Sequence, residues 1–142
     1  MEKTLEGKVA IVTGSGRGIG RCVALKFASK GAKVIINDLD QAPADEVIAE
    51  IRALGSDAVA CIGNVSAADF GERIVQTALQ AFGRIDIIVN NAGFTWDNVV
   101  QKMSDEQWDA VVDCHLKAPF MLLRAAYPYI REASKALSLI HI

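Results

Sequence analysis

The sequence predicts an α/β fold in which helices cover both faces of a parallel sheet. Two observations carry this prediction. Short apolar segments rich in β-branched residues alternate with segments whose apolar residues recur at helical spacing, and a glycine follows each of the first three helical segments, at Gly31, Gly55 and Gly83. Strands buried on both faces show such continuous apolar runs, and strand–helix alternation is typical of a doubly wound parallel sheet with right-handed crossovers.

The composition fits one domain and gives no sign of a nucleic-acid or membrane partner. The chain has 142 residues, of which 51% are hydrophobic, and a formal net charge of -2. No apolar run approaches the roughly 20 residues that a membrane span needs, and the charged first residues do not resemble a secretory signal. Cys22, Cys61 and Cys114 are odd in number and widely spaced. We therefore expect reduced core thiols and a cytoplasmic protein.

The first strand is predicted at residues 8–13, and a glycine-rich turn joins it to the first helix. Such a turn exposes backbone N–H groups at the positive end of a helix, where a pyrophosphate can bind. The dinucleotide pattern G-x-G-x-x-G does not fit the spacing. The pattern T-G-x-x-x-G-x-G does fit, and Thr13, Gly14, Gly18 and Gly20 carry it. An ordinary glycine-rich turn is the alternative.

The second strand is predicted at residues 33–37, and Asp38 follows it roughly 20 residues beyond the glycine loop. A carboxylate at this position accepts hydrogen bonds from both hydroxyls of an adenosine ribose and repels a 2′-phosphate, which favours NAD over NADP. Alternatively, Asp38 caps the turn into the next helix, although Asp40 could do so instead. Arg17 indicates the opposite preference if its guanidinium holds a 2′-phosphate; otherwise it faces solvent.

A helix with Pro43 in its first turn precedes the third strand, which is predicted at residues 58–62. The next helix is expected to begin at Ser66, with Asp69 completing a capping box. The fourth strand is predicted at residues 85–89.

Asn90 and Asn91 follow the fourth strand and lead into Ala92-Gly93. Two adjacent asparagines at the end of a buried strand are costly unless their amides find partners. A long helix is predicted from Ser104, with Gln107 completing a capping box. It is apolar on more than one face, so we expect its own sheet and another subunit to bury it; the residues are Trp108, Val111, Val112, Leu116, Phe120, Leu122 and Leu123.

The T-G-x-x-x-G-x-G and N-N-A-G motifs, in this order and each after a strand, resemble the short-chain dehydrogenase/reductase family. The resemblance covers Gly7 through about Ser134. It implies a Rossmann-type doubly wound sheet with strand order 3-2-1-4-5-6, truncated here after the fourth strand and the following long helix. The implied reaction is hydride transfer between a nicotinamide cofactor and an alcohol or ketone such as a 3-hydroxyacyl or 3-oxoacyl thioester. Asp38 predicts that this cofactor is NAD rather than NADP.

The resemblance also implies which residues bind the cofactor, and it implies no metal ligand. Asn64 stands where the family commonly has an Asp beside the adenine; its amide offers a donor and an acceptor, or it only shapes the turn. Trp96 is either a wall of the substrate cleft or a core anchor. The implied cofactor-binding residues are Gly14, Ser15, Arg17, Gly18, Ile19, Gly20, Asp38, Leu39, Asn64, Val65, Asn90, Ala92 and Gly93.

The family's catalytic Asn on the long helix is replaced by His115. Pro119 has no N–H, so it leaves the carbonyl of His115 without its helical donor. The family uses that carbonyl to hold an ordered water in a proton relay, so His115 could keep this function. A histidine satisfied by a neighbouring residue is the alternative.

The family's Ser, Tyr and Lys are not found. Tyr127 and Tyr129 are followed four residues later by Arg131 and Ala133 rather than by Lys. We therefore interpret residues 1–136 as the NAD(P)-binding segment of an incomplete domain, and residues 137–142 as a non-native tail.

The resemblance implies a small-molecule substrate and a homodimer or homotetramer. A non-catalytic NAD-binding sensor is the alternative function. A methyltransferase with a similar fold is a second alternative function, but that function does not explain the N-N-A-G motif.

Overall fold

The computed structural model describes residues 2–141, and the surroundings of side chains for residues 2–135. Within this part of the chain, parallel strands form one sheet in the order β3-β2-β1-β4. The parallel α/β prediction and its strand order are therefore confirmed for these strands. The strands are β1 (Val9–Val12), β2 (Lys33–Ile36), β3 (Ala58–Ala60) and β4 (Ile87–Val89), each shorter than predicted.

Helices follow every strand and lie on both faces of the sheet. Gly83 ends α3 in the left-handed conformation, with φ of +77°, and Gly31 and Gly55 also have positive φ just beyond α1 and α2. The predicted role of these glycines in ending the helices is confirmed. The helices are α1 (Gly18–Ser29), α2 (Gln41–Ala53), α3 (Phe70–Phe82), α4 (Asp105–Val112) and α5 (Ala118–His141), with a 3₁₀ turn at Val100–Lys102.

The hydrophobic core is divided by the sheet into two clusters. Successive residues of a strand point to opposite faces, so Ile35 packs with α3 and α5 whereas Val34 and Ile36 pack with α1 and α2. Phe70 and Ile74 of one cluster and Ile36 and Ile51 of the other are fully buried. Both faces of the sheet are therefore covered, as a doubly wound sheet requires.

The predicted helix start at Ser66 is wrong. Helix α3 begins at Phe70, and residues 65–69 form turns. The Asn64 side-chain oxygen accepts the N–H of Ser66 at 2.8 Å, and Asp69 occupies the N-cap position without a capping hydrogen bond. A turn closed by an asparagine side chain competes with a helix start, which explains the shorter helix.

The predicted single long helix is also wrong, although its start is confirmed. Ser104 accepts the N–H of Gln107 at 3.1 Å, and the Gln107 side chain accepts the N–H of Ser104 at 3.1 Å, so the capping box forms. A π-helical turn at Asp113–Lys117 then separates α4 from α5, with the Ala118 N–H donating to the carbonyl of Asp113. Pro119 lacks the N–H that would continue regular α-helical pairing at this point.

One of the three cysteines does not fit the core-thiol prediction. Cys22 is exposed on α1, whereas Cys61 and Cys114 are buried, and none forms a disulfide. Burial raises the pKa of both buried thiols.

An apolar stripe on α4, the π-helical turn and α5 is exposed. Leu122 and Ala126 bury the opposite side of α5 in the core. We call the stripe the α5 apolar face; it consists of Trp108, Leu116, Phe120, Leu123 and Tyr127, whose exposed fractions range from 48% to 69%. None of the helices described combines the length and the apolar composition that crossing a bilayer requires.

Candidate functional site

The glycine-rich turn lies at the carboxyl end of β1 and is tied to the end of β4. The Thr13 hydroxyl accepts the N–H groups of Asn91 and Ala92, each at 3.0 Å. The Asn91 side-chain amide donates to the carbonyls of Thr13 and Gly14 at 3.1 and 3.2 Å. The Asn91 side-chain amide, which would be costly to bury without partners, is thus hydrogen-bonded to the glycine-rich turn.

The same turn is tied to the end of β2. The Asn37 side-chain oxygen accepts the Gly14 N–H at 3.0 Å, and the Asn37 carbonyl accepts the Ser15 N–H at 2.7 Å. The Ser15 hydroxyl donates to the carbonyl of Val12 at 2.7 Å and accepts the Asn37 N–H at 3.0 Å. The ends of β1, β2 and β4 therefore hold the turn in one position.

Close packing leaves little room for a side chain at three glycines in the turn and at the start of α1. A Cβ on Gly20 would overlap the carbonyl oxygen of Gly14, and a Cβ on Gly14 would lie 3.0 Å from the Cα of Ala92. A Cβ on Gly16 would overlap the Asp38 carboxylate, whose Cγ would be 2.8 Å away. The missing side chains let the turn, Asp38 and the segment after β4 come together.

The first turn of α1 offers free donors beside this packing. Gly18, Ile19 and Gly20 form that turn, where N–H groups have no partner inside the helix. Arg17 is the N-cap residue and its side chain makes no capping bond, and 77% of Ile19 is exposed. Together with the helix dipole, these donors form a place where an anion is stabilised.

Asp38 follows β2 with 11% of its side chain exposed, and one carboxylate oxygen accepts the Asp40 N–H at 3.1 Å. Asp38 thus shapes the turn into α2, whereas Asp40 makes no side-chain capping bond. Arg17 lies 3.7 Å from the Asp38 carboxylate and forms an ion pair with Asp40. That pair is more than 60% exposed on both sides, so it contributes little to stability.

A cleft of about 290 Å³ opens at the carboxyl edge of the sheet. Seven predicted cofactor-binding residues line it: Gly14, Asp38, Leu39, Asn64, Val65, Ala92 and Gly93. Sequence reasoning missed four other lining residues, namely Asn37, Gly63, Phe94 and Cys114, and also missed Gly16 beneath Asp38. A signal existed for Asn37, because it is a polar residue at the end of a buried strand.

The remaining predicted residues lie around the cleft. Arg17, Gly18, Ile19 and Gly20 are at the start of α1. Ser15 is fully buried with its hydroxyl already bonded, so it supports the turn from within. Asn90 is exposed and lines a void of about 10 Å³ with residues that include Thr13 and Cys114.

His115 lies on the π-helical turn and contacts the segment after β4. Its Nε2 atom is 2.9 Å from the carbonyl oxygen of Phe94 and 3.2 Å from the Phe94 nitrogen. A Cβ on Gly93 would lie 2.6 Å from the His115 ring, so the glycine makes room for it. The side chain therefore has a neighbouring partner. Trp96, in the same segment, is 42% exposed, so the described part of the chain does not bury it as a core anchor.

Comparison with known proteins places this geometry in a family. The family model described as short chain dehydrogenase matches residues 8–140. The chain belongs to the short-chain dehydrogenase family. Its Rossmann-like fold and its membership in a family of NAD(P)-dependent oxidoreductases agree with the sequence prediction.

Two curated relatives and one solved structure illustrate the similarity. The peroxisomal multifunctional enzyme type 2 of Drosophila melanogaster is 45% identical over 136 residues, which are 89% of this chain and 22% of that protein. A hydroxyacyl-CoA dehydrogenase of Mycobacterium tuberculosis is 43% identical over 92% of this chain and 43% of its own. A metagenomic short-chain oxidoreductase in complex with NADP has a TM-score of 0.85 and is 39% identical, covering 91% of this chain and 59% of that one.

The chain thus spans less than half the length of these curated relatives. Within the residues described for this short-chain dehydrogenase, no group of three or more His, Cys, Asp or Glu side chains is arranged to hold a metal ion.

Proposed function

We propose that this chain forms the NAD-binding half of a dehydrogenase acting on a secondary alcohol or ketone, with a 3-hydroxyacyl or 3-oxoacyl thioester as the substrate class. The observation that carries the proposal is the cleft, which joins Asp38 to the segment after β4 beside the free donors of α1. The similarity to a hydroxyacyl-CoA dehydrogenase supports the substrate class.

The residues around the cleft fit a dinucleotide. The N–H groups of Gly18, Ile19 and Gly20 would hold the pyrophosphate, and the glycines without Cβ atoms let it approach the backbone. Asp38 would accept hydrogen bonds from the ribose, and Asn64 and Val65 would face the adenine. The nicotinamide half would lie along residues 90–93. When bound, the cofactor supplies the hydride acceptor or donor, and these residues orient it.

Asp38 supports NAD as the preferred cofactor. A 2′-phosphate on the ribose would meet this carboxylate, which is only 11% exposed. The Arg17 guanidinium is already paired with the carboxylates of Asp38 and Asp40, so it is not free to bind such a phosphate. The similar metagenomic oxidoreductase was solved in complex with NADP, so the affinities for NADH and NADPH are compared directly.

The proton-transfer groups of the reaction are proposed to lie outside residues 1–136, with residues 137–142 as a non-native tail. Tail side chains lie outside the described residues. The described part contributes His115, whose carbonyl is proposed to hold a water of the proton relay while its ring holds Phe94. General acid/base catalysis typically contributes about 10²–10⁴ in rate, so the 142-residue chain alone should show no turnover.

We further propose that the full-length protein is a homodimer or homotetramer that buries the α5 apolar face, and that it is cytoplasmic. Single apolar residues on a protein surface need no partner. The α5 apolar face instead brings five large apolar side chains together, as expected for a surface that another subunit covers. The unpaired cysteines agree with a reducing compartment.

The proposal is tested by calorimetry on the full-length protein that contains this sequence. We expect NADH to bind more tightly than NADPH, and S-adenosylmethionine not to bind. Turnover is then measured with 3-hydroxyacyl-CoA thioesters and NAD. Failure to bind either dinucleotide would overturn the proposal, whereas binding of NADH without turnover of any secondary alcohol would favour a non-catalytic sensor.

A further inference from the structure

Arg73 reaches from α3 to the backbone that follows β3, and its side chain is not among the residues that line the cleft. Its guanidinium donates to the carbonyl of Ile62 at 2.7 Å and lies 3.8 Å from the Cys61 sulfur. The ring of Phe70 lies beneath it, with 5.6 Å from the guanidinium carbon to the ring centroid. These contacts fix the guanidinium against the backbone that follows β3.

The guanidinium also occupies the place where Gly63 would carry a side chain. A Cβ on Gly63 would overlap an Arg73 nitrogen and lie 3.4 Å from the guanidinium carbon. Gly63 has φ of +151°, a conformation that other residues rarely adopt. The planar group of Arg73 therefore packs directly on the Gly63 backbone.

The opposite side of Gly63 is held by the end of β2. Its N–H donates to the carbonyl of Asp38 at 3.0 Å, and its carbonyl accepts the Asn37 side-chain amide at 3.1 Å. The same amide donates to the carbonyl of Cys61 at 3.0 Å. Residues 61–63 are thus clamped between Arg73 on the helix side and Asn37 and Asp38 on the sheet side.

We infer that Arg73 is a positioning residue for the adenosine half of the cofactor. The inference rests on the proposed function. Arg73 does not line the cleft, but Gly63, Asn64 and Val65 do, and Gly63 is bonded to Asp38. Loss of the guanidinium removes the hydrogen bond to the Ile62 carbonyl and leaves the Ile62–Gly63 peptide held from the β2 side. The adenine-facing residues are then less firmly spaced from Asp38.

Arg52 provides a matched control at the other end of the same strand. Its guanidinium donates to the carbonyl of Ala58 at 3.2 Å and to the Asp57 carboxylate at 2.9 Å. Arg52 therefore holds a carbonyl at the start of β3, and Arg73 holds one just beyond its end. The side chain of Arg52 is 59% exposed and that of Arg73 is 43% exposed. Neither Arg52 nor its partners line the cleft.

The experiment compares Arg73→Met, Arg73→Lys and Arg52→Met in the full-length protein. Calorimetry gives the dissociation constants of NADH, ADP-ribose and reduced nicotinamide mononucleotide, and thermal melting gives stability. We expect Arg73→Met to weaken ADP-ribose and NADH about tenfold, because the loosened segment after β3 must then be ordered on binding, with the mononucleotide affinity unchanged. Arg73→Lys should lose about threefold because its ammonium can still donate to the Ile62 carbonyl.

Arg52→Met should lower the melting temperature but leave all three affinities within about twofold of the wild type. If Arg73→Met binds ADP-ribose as tightly as the wild type, the inference is wrong while the proposed function stands. Should Arg73→Met not fold, the same criterion is applied to Arg73→Lys. If the wild type binds neither NADH nor ADP-ribose, the proposed function fails and the inference fails with it. Equal losses of ADP-ribose affinity in the Arg52 and Arg73 variants would show that Arg73 only stabilises the fold, and the inference would be wrong.

Discussion

Asp38 is the residue on which cofactor preference is expected to depend. Asp38→Ala should narrow the preference for NADH over NADPH in the full-length protein, because it removes a carboxylate that would face the 2′-phosphate. Unpaired like charges at close range typically cost more than about 1.4 kcal/mol, or about tenfold in affinity. Dissociation constants of both cofactors for the wild type and the variant provide the measurement.

Asp45→Ala is the control, since Asp45 is exposed on α2 and its carboxylate accepts a hydrogen bond from the side chain of Gln41. That variant should retain the wild-type preference. A wild-type protein that prefers NADPH would contradict the assignment and would make Arg17 the phosphate-binding residue.

Asp86 makes stability depend on pH. Its carboxylate accepts the Val9 N–H at 2.9 Å and pairs with Arg84 at 2.6 Å. Burial pushes the pKa of Asp86 up, but the hydrogen bonds from Arg84 and Val9 and the nearby positive charges outweigh burial, so the pKa lies below its ordinary value of 3.8. Its stabilising contribution is therefore present above that value and is lost as the pH falls through the lower pKa of the folded state.

Urea unfolding between about pH 3 and pH 7 should show this loss for the wild type and a flatter profile for Asp86→Asn. Asp109→Asn, which removes an exposed carboxylate from α4, should keep the wild-type slope. The same slope in the Asp86 variant would show that other carboxylates govern the acid limb.

The positions of single site residues could be predicted from the sequence where the residues lie at the end of an apolar strand. Thr13, Gly14 and Asp38 follow apolar runs, so their place at the carboxyl edge could be inferred without knowing their neighbours. The contact of His115 with Phe94 could not, because it depends on the path of the intervening segment. The overlap of a Gly16 side chain with Asp38 likewise depends on two turns meeting in space.

At the scale of elements, the two predicted helix caps give a paired test. Ser104→Ala should lower the free energy of unfolding by about 1 kcal/mol, because the hydroxyl accepts the Gln107 N–H at the start of α4. Ser66→Ala should change it by less than about 0.5 kcal/mol, because Ser66 lies in a turn before α3 and caps no helix. Urea unfolding of the full-length protein measures both. Equal losses would mean that Ser66 caps a helix after all.

Helices and strands were predictable because their periodicity is local, whereas two boundaries were not. At Ser66, serine and Asp69 have the spacing of a capping box, yet the Asn64 side chain closes a turn first. At Pro119, the missing N–H was a visible signal, but it did not show whether the helix would end there or continue through a π-helical turn.

For the whole molecule, β4 predicts how the 142-residue chain behaves alone. Within the described sheet, β4 pairs with β1 on one side and forms an edge on the other. Its residues are all apolar, and exposed edges of this kind favour pairing between molecules. We expect the isolated chain to aggregate or to be partly unfolded, as judged by size-exclusion chromatography and circular dichroism. A soluble monomer with a cooperative melt would contradict this expectation.

The α5 apolar face gives a second prediction for the whole molecule. Phe120→Glu should convert the full-length protein to smaller species, because it places a carboxylate in the proposed subunit interface where 57% of Phe120 is exposed in the single chain. Light scattering coupled to size-exclusion chromatography measures the mass. Val100→Glu, at a residue 88% exposed outside this face, is the control and should leave the mass unchanged. An unchanged mass for both variants would place the interface elsewhere.

The hydrogen bonds that Thr13, Asn37 and Asn91 make to the glycine-rich turn have a thermodynamic consequence. They run between protein groups at the ends of three strands, so the fold itself fixes the turn. A turn that is already fixed loses little conformational entropy when a ligand arrives, and more of the interaction energy is retained as affinity. Mutation of Asn91 to Leu should therefore make nucleotide binding more costly in entropy, because it removes the amide that donates to Thr13 and Gly14 and leaves the N–H groups at the start of α1 in place.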